Sequence, residues 1–356
     1  MKTYPATYRA VRNTAPGELE LVELPTPEPG PADVLLRIEA CGVCGADAAD
    51  IGNPALQRPR VPGHEVVGRI VALGAAVDGH WQLGQRVGVG RLGGHCNACP
   101  SCRAGHFNLC ESQPVVGSTR DGGYAEMMLA RATALVSIPD ELDSEHAAPI
   151  LCAGIATFNA LRKCGAQAGD LVAVQGIGGL GHMALQYARR MGFKVVAIGR
   201  GRDIADDVLR LGAHLYIDAS VEDAAQRLKA MGGAQALIAT VTDAQAVAQA
   251  MRGLAPLGKL MLLGVGNTAL AVAPGFLVGG ERAIAGSMTG TPWEAENALN
   301  FSVLAEALPM VETLPLERAA DALLRLKSGD AKFRLVLTME AGRGPGRTQH
   351  PNTHTN

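Results

Sequence analysis

The feature of this sequence that most restricts its fold is a glycine-rich turn between an apolar strand and a helix. Residues 172–181 read Val-Ala-Val-Gln-Gly-Ile-Gly-Gly-Leu-Gly, and a second apolar strand, Val195–Ile198, follows the helical stretch. Gly176 permits a tight turn, Gly178 lets a pyrophosphate approach the backbone, and Gly181 allows the helix to pack closely on the strand. The N-terminus of such a helix also attracts negative charge. We therefore predict a dinucleotide-binding loop that consists of Gly176, Gly178, Gly179, Leu180 and Gly181.

The second half of the chain alternates strand-like and helix-like segments. Strands that alternate with helices of about ten residues form a parallel sheet with helices on both faces, and about six strands complete one dinucleotide-binding sheet. Before residue 150 the pattern changes to short β-like runs broken by Gly and Pro, such as Val66–Leu73. With 356 residues, the chain is predicted to be an α/β protein of two domains. The predicted strands of the parallel sheet are Leu171–Gln175, Val195–Ile198, His214–Ile217, Ala236–Val241, Lys259–Gly264 and Ile284–Ser287.

The charge balance argues against nucleic acids and membranes as partners. Lys and Arg total 32, Asp and Glu total 34, and the net charge is −2. The chain therefore lacks the basic field that nucleic acid or an anionic membrane would require. No window approaches the ~18 uninterrupted apolar residues of a membrane span, and residues 1–11 lack the apolar stretch of a signal peptide. We expect a soluble, cytoplasmic protein with a small-molecule substrate.

Four of the eight cysteines lie close together, with the spacing C-x2-C-x2-C-x7-C. Tight Cys-x-x-Cys turns direct thiolates at one tetrahedral Zn²⁺, and four thiolates close its coordination shell, so this metal would order the lobe at residues 91–111. An iron–sulfur cluster shares the start of the pattern but continues it differently. A nucleic-acid-binding zinc ribbon would need more widely separated cysteine pairs and a basic surface. We predict a structural zinc bound by Cys96, Cys99, Cys102 and Cys110.

Three separate segments carry further candidate ligands. Cys41-Gly-Val-Cys44 follows an apolar strand, His64-Glu65 follows Pro-Gly, and Cys152 lies in the sequence Ile-Leu-Cys-Ala-Gly. Two thiolates and one imidazole would form a zinc site with an open fourth position, which is the arrangement of a catalytic zinc. The residues alone leave alternatives open, because a lone Cys is usually a small buried hydrophobe and the first two cysteines could form a dithiol pair. Sequence separation does not show that the three segments meet.

The end of the second predicted strand bears on the choice of cofactor. An NAD site usually carries Asp or Glu about 20 residues beyond the glycines, where it binds the ribose 2′-hydroxyl. This chain reads Gly199-Arg200 there, with no carboxylate before Asp203. Arg200 could instead bind the 2′-phosphate of NADP, or it could be a solvated loop residue. We predict a preference for NADP over NAD.

In this order and combination, the segments resemble the zinc-containing medium-chain alcohol dehydrogenases. The resemblance implies that Cys44, His64 and Cys152 bind a catalytic zinc and that Glu65 lies beside it. It extends to about Met339 and rests on segments that include Gly42-Val43-Cys44, Pro62–Glu65, the four-cysteine lobe, Asp121–Glu126, Ala148–Gly154 and Gly176–His182.

The resemblance also implies the domain arrangement and two further cofactor contacts. A GroES-like, β-rich catalytic domain would accompany a Rossmann domain with a doubly wound parallel sheet. Thr157 would lie near the nicotinamide, and Arg334 would reach the cofactor pyrophosphate. The expected ranges are 1–152 for the catalytic domain, 153–291 for the Rossmann domain, 292–341 for a return to the catalytic domain and 342–356 for a disordered tail.

One departure from the family pattern affects the expected activity. Members typically read Cys-His-Thr-Asp-Leu-His or Cys-x-Ser-Asp at the first ligand, whereas this chain reads Cys44-Gly-Ala-Asp-Ala-Ala. Ala46 replaces the hydroxyl that takes the alcohol proton, and Ala49 replaces the His that passes it to solvent. We expect an NAD(P)-dependent oxidoreductase that interconverts an alcohol and an aldehyde or ketone, slowed by this gap. It would bind two zinc ions per chain and form a homo-oligomer, a dimer or a tetramer. The alternative is a protein that binds zinc and NADPH without turnover.

Overall fold

The computed structural model describes residues 4–339 of the chain. The tail predicted for residues 342–356 lies outside them. The strands, in chain order, are β1 (Thr7–Ala15), β2 (Glu18–Pro25), β3 (Asp33–Val43), β4 (Val66–Leu73), β5 (Arg86–Val89), β6 (Met127–Arg131), β7 (Leu135–Ser137), β8 (Leu171–Gln175), β9 (Lys194–Gly199), β10 (Leu215–Asp218), β11 (Ala234–Ala239), β12 (Leu254–Leu262), β13 (Ala283–Gly286), β14 (Val311–Pro315) and β15 (Arg334–Thr338). The α-helices are α1 (Gly45–Gly52), α2 (Pro100–Arg103), α3 (Ser144–Pro149), α4 (Ile155–Lys163), α5 (Gly181–Arg190), α6 (Ala205–Arg210), α7 (Ala224–Ala230), α8 (Ala244–Met251), α9 (Pro274–Val278), α10 (Pro292–Leu304) and α11 (Ala319–Ser328).

Six strands of the second half form a parallel sheet in the order β10-β9-β8-β11-β12-β13. Numbered from β8, this is the order 3-2-1-4-5-6 of a doubly wound dinucleotide-binding sheet. Strand β8 is buried at every position, as expected for a strand with helices on both faces. The predicted fold class is confirmed. The fifth strand begins at Leu254 rather than at the predicted Lys259.

The remaining strands pair in the other half of the molecule. Strands β14, β15, β3, β4, β5 and β7 lie side by side, β6 also pairs with β3, and β1 and β2 form a separate antiparallel pair. The last described strands, β14 and β15, thus return to the sheet of the first part of the chain. A single core lies under this sheet and includes Leu35, Ile38, Val66 and Leu337. The predicted domain boundaries at 152/153 and 291/292 stay predictions.

Three strand ends meet at one place in this mixed sheet. Strand β3 runs antiparallel to both β4 and β15, so its end lies beside the start of each neighbour. Cys44 follows β3, the pair His64-Glu65 precedes β4, and Arg334 is the first residue of β15. The pairing register therefore collects residues that lie far apart in the sequence.

The third candidate ligand arrives on a helical segment that the sequence did not predict. Helix α3 continues into a π-helical turn, Ile150–Gly154, and then into α4. The side chain of Asp143 caps α3 by accepting a hydrogen bond from the backbone N–H of His146. Single π turns inside helices are frequent at functional sites. Here the turn carries Cys152.

Candidate active site

The structure brings the separated candidate ligands into one buried cluster. Each contributes an atom that lies within 4.8 Å of the others, and the two sulfur atoms are 3.9 Å apart. Cys41, three residues before Cys44, is a free buried thiol outside the cluster. The clustered residues are Cys44, His64, Glu65 and Cys152.

The imidazole of His64 is oriented by a carboxylate. His64 Nδ1 lies 2.6 Å from Asp47 Oδ1, and the ring is fully buried. Its other nitrogen, Nε2, is buried without a hydrogen-bond partner among residues 4–339. A carboxylate at Nδ1 selects the tautomer in which Nδ1 carries the proton and the Nε2 lone pair is free for a metal. Such a nitrogen beside two thiols is a set of donor atoms that fits a metal ion.

Asp47 connects three parts of the site, and the sequence reasoning assigned it no role. Its Oδ2 accepts hydrogen bonds from the backbone N–H of Cys44 at 2.9 Å and from the hydroxyl of Tyr124 at 3.1 Å. The available signal was a carboxylate three residues after Cys44, the residue that precedes α1, where its side chain can cap the helix. Tyr124 lies in the segment Asp121–Glu126, one of those on which the family resemblance rests. No sequence pattern connects Tyr124 with the candidate ligands.

The two thiols and the imidazole of the cluster have strongly shifted pKa values. The contact with Cys152 lowers the pKa of the Cys44 thiol well below its ordinary value, against the effect of burial. The same contact and burial raise the pKa of Cys152 well above its ordinary value. Burial lowers the pKa of His64, but the Asp47 carboxylate and the Cys44 sulfur together outweigh burial and leave that pKa well above its ordinary value. A divalent metal competes with protons for all three groups. Two sulfurs and one imidazole nitrogen fit zinc.

Glu65 and Arg334 form a buried ion pair beside the sulfurs. The Arg334 guanidinium donates to both carboxylate oxygens of Glu65, and both side chains are almost inaccessible. Burial raises the pKa of Glu65 to about 7, although Arg334 acts to lower it. Gly42 makes room for this carboxylate, because a Cβ there would stand 1.9 Å from Glu65 Oε2. Arg334 also approaches the glycine loop, where a Cβ on Gly179 would stand 2.5 Å from its Nη1. One guanidinium therefore contacts the cluster and borders the loop.

The four-cysteine lobe forms a second cluster. Its four sulfur atoms lie within 4.8 Å of one another, with Cys96 Sγ and Cys102 Sγ 4.0 Å apart. Backbone N–H groups of Ala98 and Cys99 donate to the Cys96 sulfur at 3.4 and 3.3 Å, and these bonds lower the pKa of Cys96 to about 6. Burial raises the pKa of Cys102 to about 12. The donor set fits one tetrahedral zinc and leaves no position for a substrate. Its members are Cys96, Cys99, Cys102 and Cys110.

The predicted dinucleotide loop borders a cleft of about 1130 Å³. Gly176 has φ +90, a conformation that favours glycine. A Cβ on Gly181 would stand 1.9 Å from the Gly176 carbonyl oxygen, whereas a Cβ on Gly178 would meet nothing within 4 Å. The turn, the close helix–strand packing and the open approach thus fall where the pattern placed them. The loop residues that line the cleft are Gly176, Gly178, Gly179 and Leu180.

The same cleft contains the two residues used to predict the cofactor. Gly199 and Arg200 line it, and Arg200 is exposed. A Cβ on Gly199 would stand 2.8 Å from the Tyr216 hydroxyl oxygen, which donates to the Gly201 carbonyl at 2.7 Å. Thr157 lies elsewhere: it is fully buried in α4, and its hydroxyl donates to the Ala153 carbonyl at 2.7 Å.

In the described part of the chain, no helix has the length and apolar character needed to cross a membrane.

Two family models match the chain. Residues 30–140 match the alcohol dehydrogenase GroES-like domain, and residues 179–304 match the zinc-binding dehydrogenase domain. The first match contains Cys44, His64 and the four-cysteine lobe, and the second contains most of the parallel sheet.

Proteins similar along their whole length support the same grouping. An alcohol dehydrogenase of Aspergillus sp. (strain MF297-2) is 40% identical, and the match covers 94% of this chain and 99% of that protein. The acetophenone reductase of Geotrichum candidum NBRC 4597, solved in complex with NAD, has a TM-score of 0.84 and 29% identity, covering 94% of this chain and 98% of that one. The CAD protein of Helicobacter pylori, solved with NADP(H), has a TM-score of 0.82 and 25% identity, covering 94% and 99%.

Proposed function

The chain belongs to the zinc-containing medium-chain alcohol dehydrogenase family, and on that basis we propose that it interconverts a small alcohol and the matching aldehyde or ketone by hydride transfer with NADP(H) or NAD(H). The observation that carries this proposal is the buried cluster of Cys44, His64 and Cys152. In that cluster Nε2 of His64, which has no hydrogen-bond partner among the described residues, lies beside two sulfur atoms 3.9 Å apart. These three residues would hold a zinc ion and would leave one position open for a substrate.

The proposed mechanism divides the work between bound groups and side chains. When bound, zinc would act as a Lewis acid on the substrate oxygen, and the nicotinamide would give or take the hydride. Asp47 holds the His64 ring in the orientation that exposes Nε2. Arg334 neutralises the buried Glu65 beside the cluster. The N-terminus of α5 and the glycine loop would hold the cofactor pyrophosphate.

We propose two zinc ions per chain, the second in the four-cysteine lobe. Two buried or partly buried donor clusters of suitable composition support this number. Metal analysis of the chain purified with zinc should give about two ions, and a maximum of one would contradict the proposal.

We propose that NADP is preferred over NAD. Arg200 is exposed in the cofactor cleft, and the neighbouring Gly199 offers no carboxylate to the ribose. Gly199→Asp should shift the ratio of kcat/KM values toward NAD, because a carboxylate repels the 2′-phosphate and binds a free hydroxyl. Since any Cβ at this position approaches Tyr216, Gly199→Ala is the matched control. A wild-type chain with higher kcat/KM for NADH than for NADPH would contradict the preference.

A homo-oligomer and a cytoplasmic location complete the proposal. Strand β13 forms one end of the parallel sheet and is exposed or half-buried along its length. The apolar side chains of Val265, which follows β12, and Val278, the last residue of α9, are 89% and 78% exposed. An edge of this kind can pair with another chain, and light scattering should give a mass of at least two chains. A reducing compartment fits the eight cysteines, all of which are free thiols.

The experiment that tests the proposed reaction is a screen of alcohols, aldehydes and ketones with NADP(H) and NAD(H), using chain of measured zinc content. We expect turnover that is slow for the family, because Ala46 and Ala49 stand where a hydroxyl and an imidazole usually pass the proton. The competing proposal is a protein that binds zinc and NADPH without turnover. Cofactor binding by fluorescence, without hydride transfer to any carbonyl compound, would favour that second proposal.

A further inference from the structure

A partly buried ion pair that involves helix α1 is not explained by the mechanism above. Arg91 Nη2 is 2.9 Å from Asp50 Oδ2, and the two side chains are only 26% and 17% exposed. Asp50 belongs to α1, which starts immediately after Cys44. Arg91 follows β5. The pair thus joins the helix of the first candidate ligand to a different part of the catalytic domain.

The position of Asp50 on α1 directs it toward the cluster. At about 100° per residue, Asp50 lies about 40° from Ala46 and about 60° from Asp47 around the helix axis, so all three share one face. Asp47 on this face contacts His64. Helical side chains also lean toward the N-terminus of their helix. Asp50 thus lies one helical turn after Ala46, the residue where the usual hydroxyl is missing, on the same face of α1. Ala49, where the usual imidazole is missing, is exposed.

Arg91 lies near the segment that carries Cys152. Its neighbour Gly90 approaches the backbone so closely that a Cβ there would stand 2.9 Å from the Leu151 carbonyl oxygen. Leu151 immediately precedes Cys152. A cavity of about 20 Å³, lined in part by Arg91 and Leu151, has room for a single water molecule. A water molecule in this cavity would lie against Arg91.

One donor of the ion pair still needs a hydrogen-bond partner. Arg91 Nη1 is buried and donates to no group within residues 4–339, whereas Asp50 Oδ2 lies 2.9 Å from Arg91 Nη2. Buried polar atoms like this Nη1 are usually satisfied by ordered water or by a ligand. Gly45, between Cys44 and Ala46, borders open space, since a Cβ there would meet nothing within 4 Å. The start of α1 is thus open, and the partner of Asp50 has a donor group available for a water molecule.

We propose that Asp50, held by Arg91, replaces the missing relay and accepts the proton of the alcohol through one intervening water molecule. This inference rests on the proposed function. Two guanidinium groups face Asp50: Arg91 at the carboxylate, and Arg58, whose Nη2 donates to the Asp50 backbone carbonyl at 3.4 Å.

The proton and the electrons balance along this route. In alcohol oxidation the substrate O–H bond breaks, and its electron pair stays on the oxygen. The proton passes to the water, which in turn gives one of its own protons to a carboxylate oxygen of Asp50. The carbinol C–H bond then breaks, and the hydride, with two electrons, goes to the nicotinamide of the oxidised cofactor as the C=O bond forms. Because Asp50 is partly exposed, it can release the proton to solvent. Carbonyl reduction uses the same path in reverse.

The test measures hydride transfer in a single turnover of alcohol oxidation, for wild type and Asp50→Asn. We expect the variant to be slower by about 10²-fold, a typical loss when a proton acceptor is removed, with unchanged zinc content and unchanged cofactor binding by fluorescence. Asp50→Glu keeps a carboxylate and should retain most of the rate. The matched control is Asp33→Asn, which removes a carboxylate of similar exposure (24%) from an ion pair with Arg120 at the far end of β3. Its rate should match that of wild type.

A second measurement separates proton transfer from a structural effect. Formate, a small base, should restore part of the rate of Asp50→Ala and have no such effect on wild type or on Asp33→Asn. An Asp50→Asn rate within twofold of wild type, or Asp50→Ala that formate does not rescue, would overturn the inference. If the wild-type chain transfers hydride from no alcohol at all, the proposed function itself fails, which is a distinguishable result.

Discussion

The two cysteine clusters of this protein use similar atoms but are built in opposite ways. The four-cysteine lobe takes every sulfur from one short segment, residues 96–110, and supports them with backbone N–H groups of the same segment. The cluster of Cys44, His64 and Cys152 takes its atoms from the ends of β3 and β4 and from a π-helical turn. The first cluster depends on local spacing. The second depends on the fold.

This difference also separates what each cluster can do. A shell of four thiolates is complete, so its binding energy stabilises the surrounding chain. In the second cluster an outer layer of charged groups, Asp47 and the Glu65–Arg334 pair, surrounds three ligand atoms. Such outer groups orient metal ligands and tune their affinity. The first arrangement suits a structural metal and the second a reactive one, and substitutions should affect them differently.

The largest expected effect is on turnover after Cys152→Ser. A serine hydroxyl is a poor zinc ligand beside a thiolate, and loss of the metal removes its stabilisation of charge on the substrate oxygen. We expect kcat/KM to fall by at least about 10³-fold and the zinc content to fall by one ion per chain. Steady-state kinetics and metal analysis measure both quantities. Cys41→Ser, which changes a buried thiol outside the cluster, is the control and should retain most of the activity.

A smaller loss is expected from Asp47→Asn. The amide keeps the size of the side chain but holds the His64 proton less firmly, and substitutions of such supporting groups typically cost about 10–100-fold in activity or metal affinity. Tyr124→Phe removes only the hydroxyl that donates to Asp47 at 3.1 Å and should cost much less. Zinc titration with a chelator measures the affinity. If Asp47→Asn binds zinc and turns over like wild type, the outer layer of this cluster has no role in metal binding.

These contrasts explain which parts of the molecule could be predicted from sequence. The four-cysteine lobe and the glycine loop are local patterns, and the roles of Gly176 and Gly181 followed from spacing alone. Alternating strands and helices were sufficient to predict the parallel sheet. The meeting of Cys44 with His64 depends on the register of β3 against β4, which no short-range pattern records. For this site the resemblance to a family supplied the ligands that the residues alone left open.

Two features of the structure had little or no signal in the sequence. The helical segment that carries Cys152 contains Pro149 and a π turn, and both features interrupt the periodicity by which a helix is recognised. The ion pair of Asp50 and Arg91 joins residues that are distant in sequence, and the sequence contains no pattern that links them. Long-range charge pairing depends on tertiary packing, so it becomes visible only in the structure.

The other cluster should respond mainly in stability. Cys99→Ser should release or weaken the metal of the lobe, and we expect the unfolding temperature to fall by roughly 5–10 °C, since metal-binding energy is partly folding energy here. Turnover per folded, zinc-loaded chain should stay close to that of wild type. Differential scanning calorimetry measures the temperature. The control is Cys164→Ser, which changes a buried thiol in neither cluster. A loss of turnover as large as that of Cys152→Ser would contradict the division of roles.

The smallest expected effect concerns a local support of the second cluster, the cap of the helical segment that carries Cys152. Asp143 Oδ1 lies 2.8 Å from both the backbone nitrogen and Nδ1 of His146. The hydrogen bond to Asp143 raises the pKa of His146, and the same bond lowers the pKa of Asp143. The stabilisation from this pair is therefore complete between about pH 3.8 and pH 6.5, the ordinary pKa values of the two groups. It is lost as the pH rises through the raised pKa of His146 or falls through the lowered pKa of Asp143.

Asp143→Asn tests this support without removing the cap, because Asn caps helices about as well as Asp. The pair is partly exposed, so screening limits its contribution, and we expect the variant to lose at most about 0.5 kcal/mol of unfolding free energy near pH 5.5. Near pH 9 His146 is neutral in both chains, and the difference should vanish. Urea denaturation at both pH values measures it. Asp143→Ala removes the cap as well and should lose about 1 kcal/mol near pH 9 and up to about 0.5 kcal/mol more near pH 5.5. Equal losses for Asp143→Asn at the two pH values would show that the charge on His146 contributes nothing, and that the helix of Cys152 is held by its cap and by tertiary packing alone.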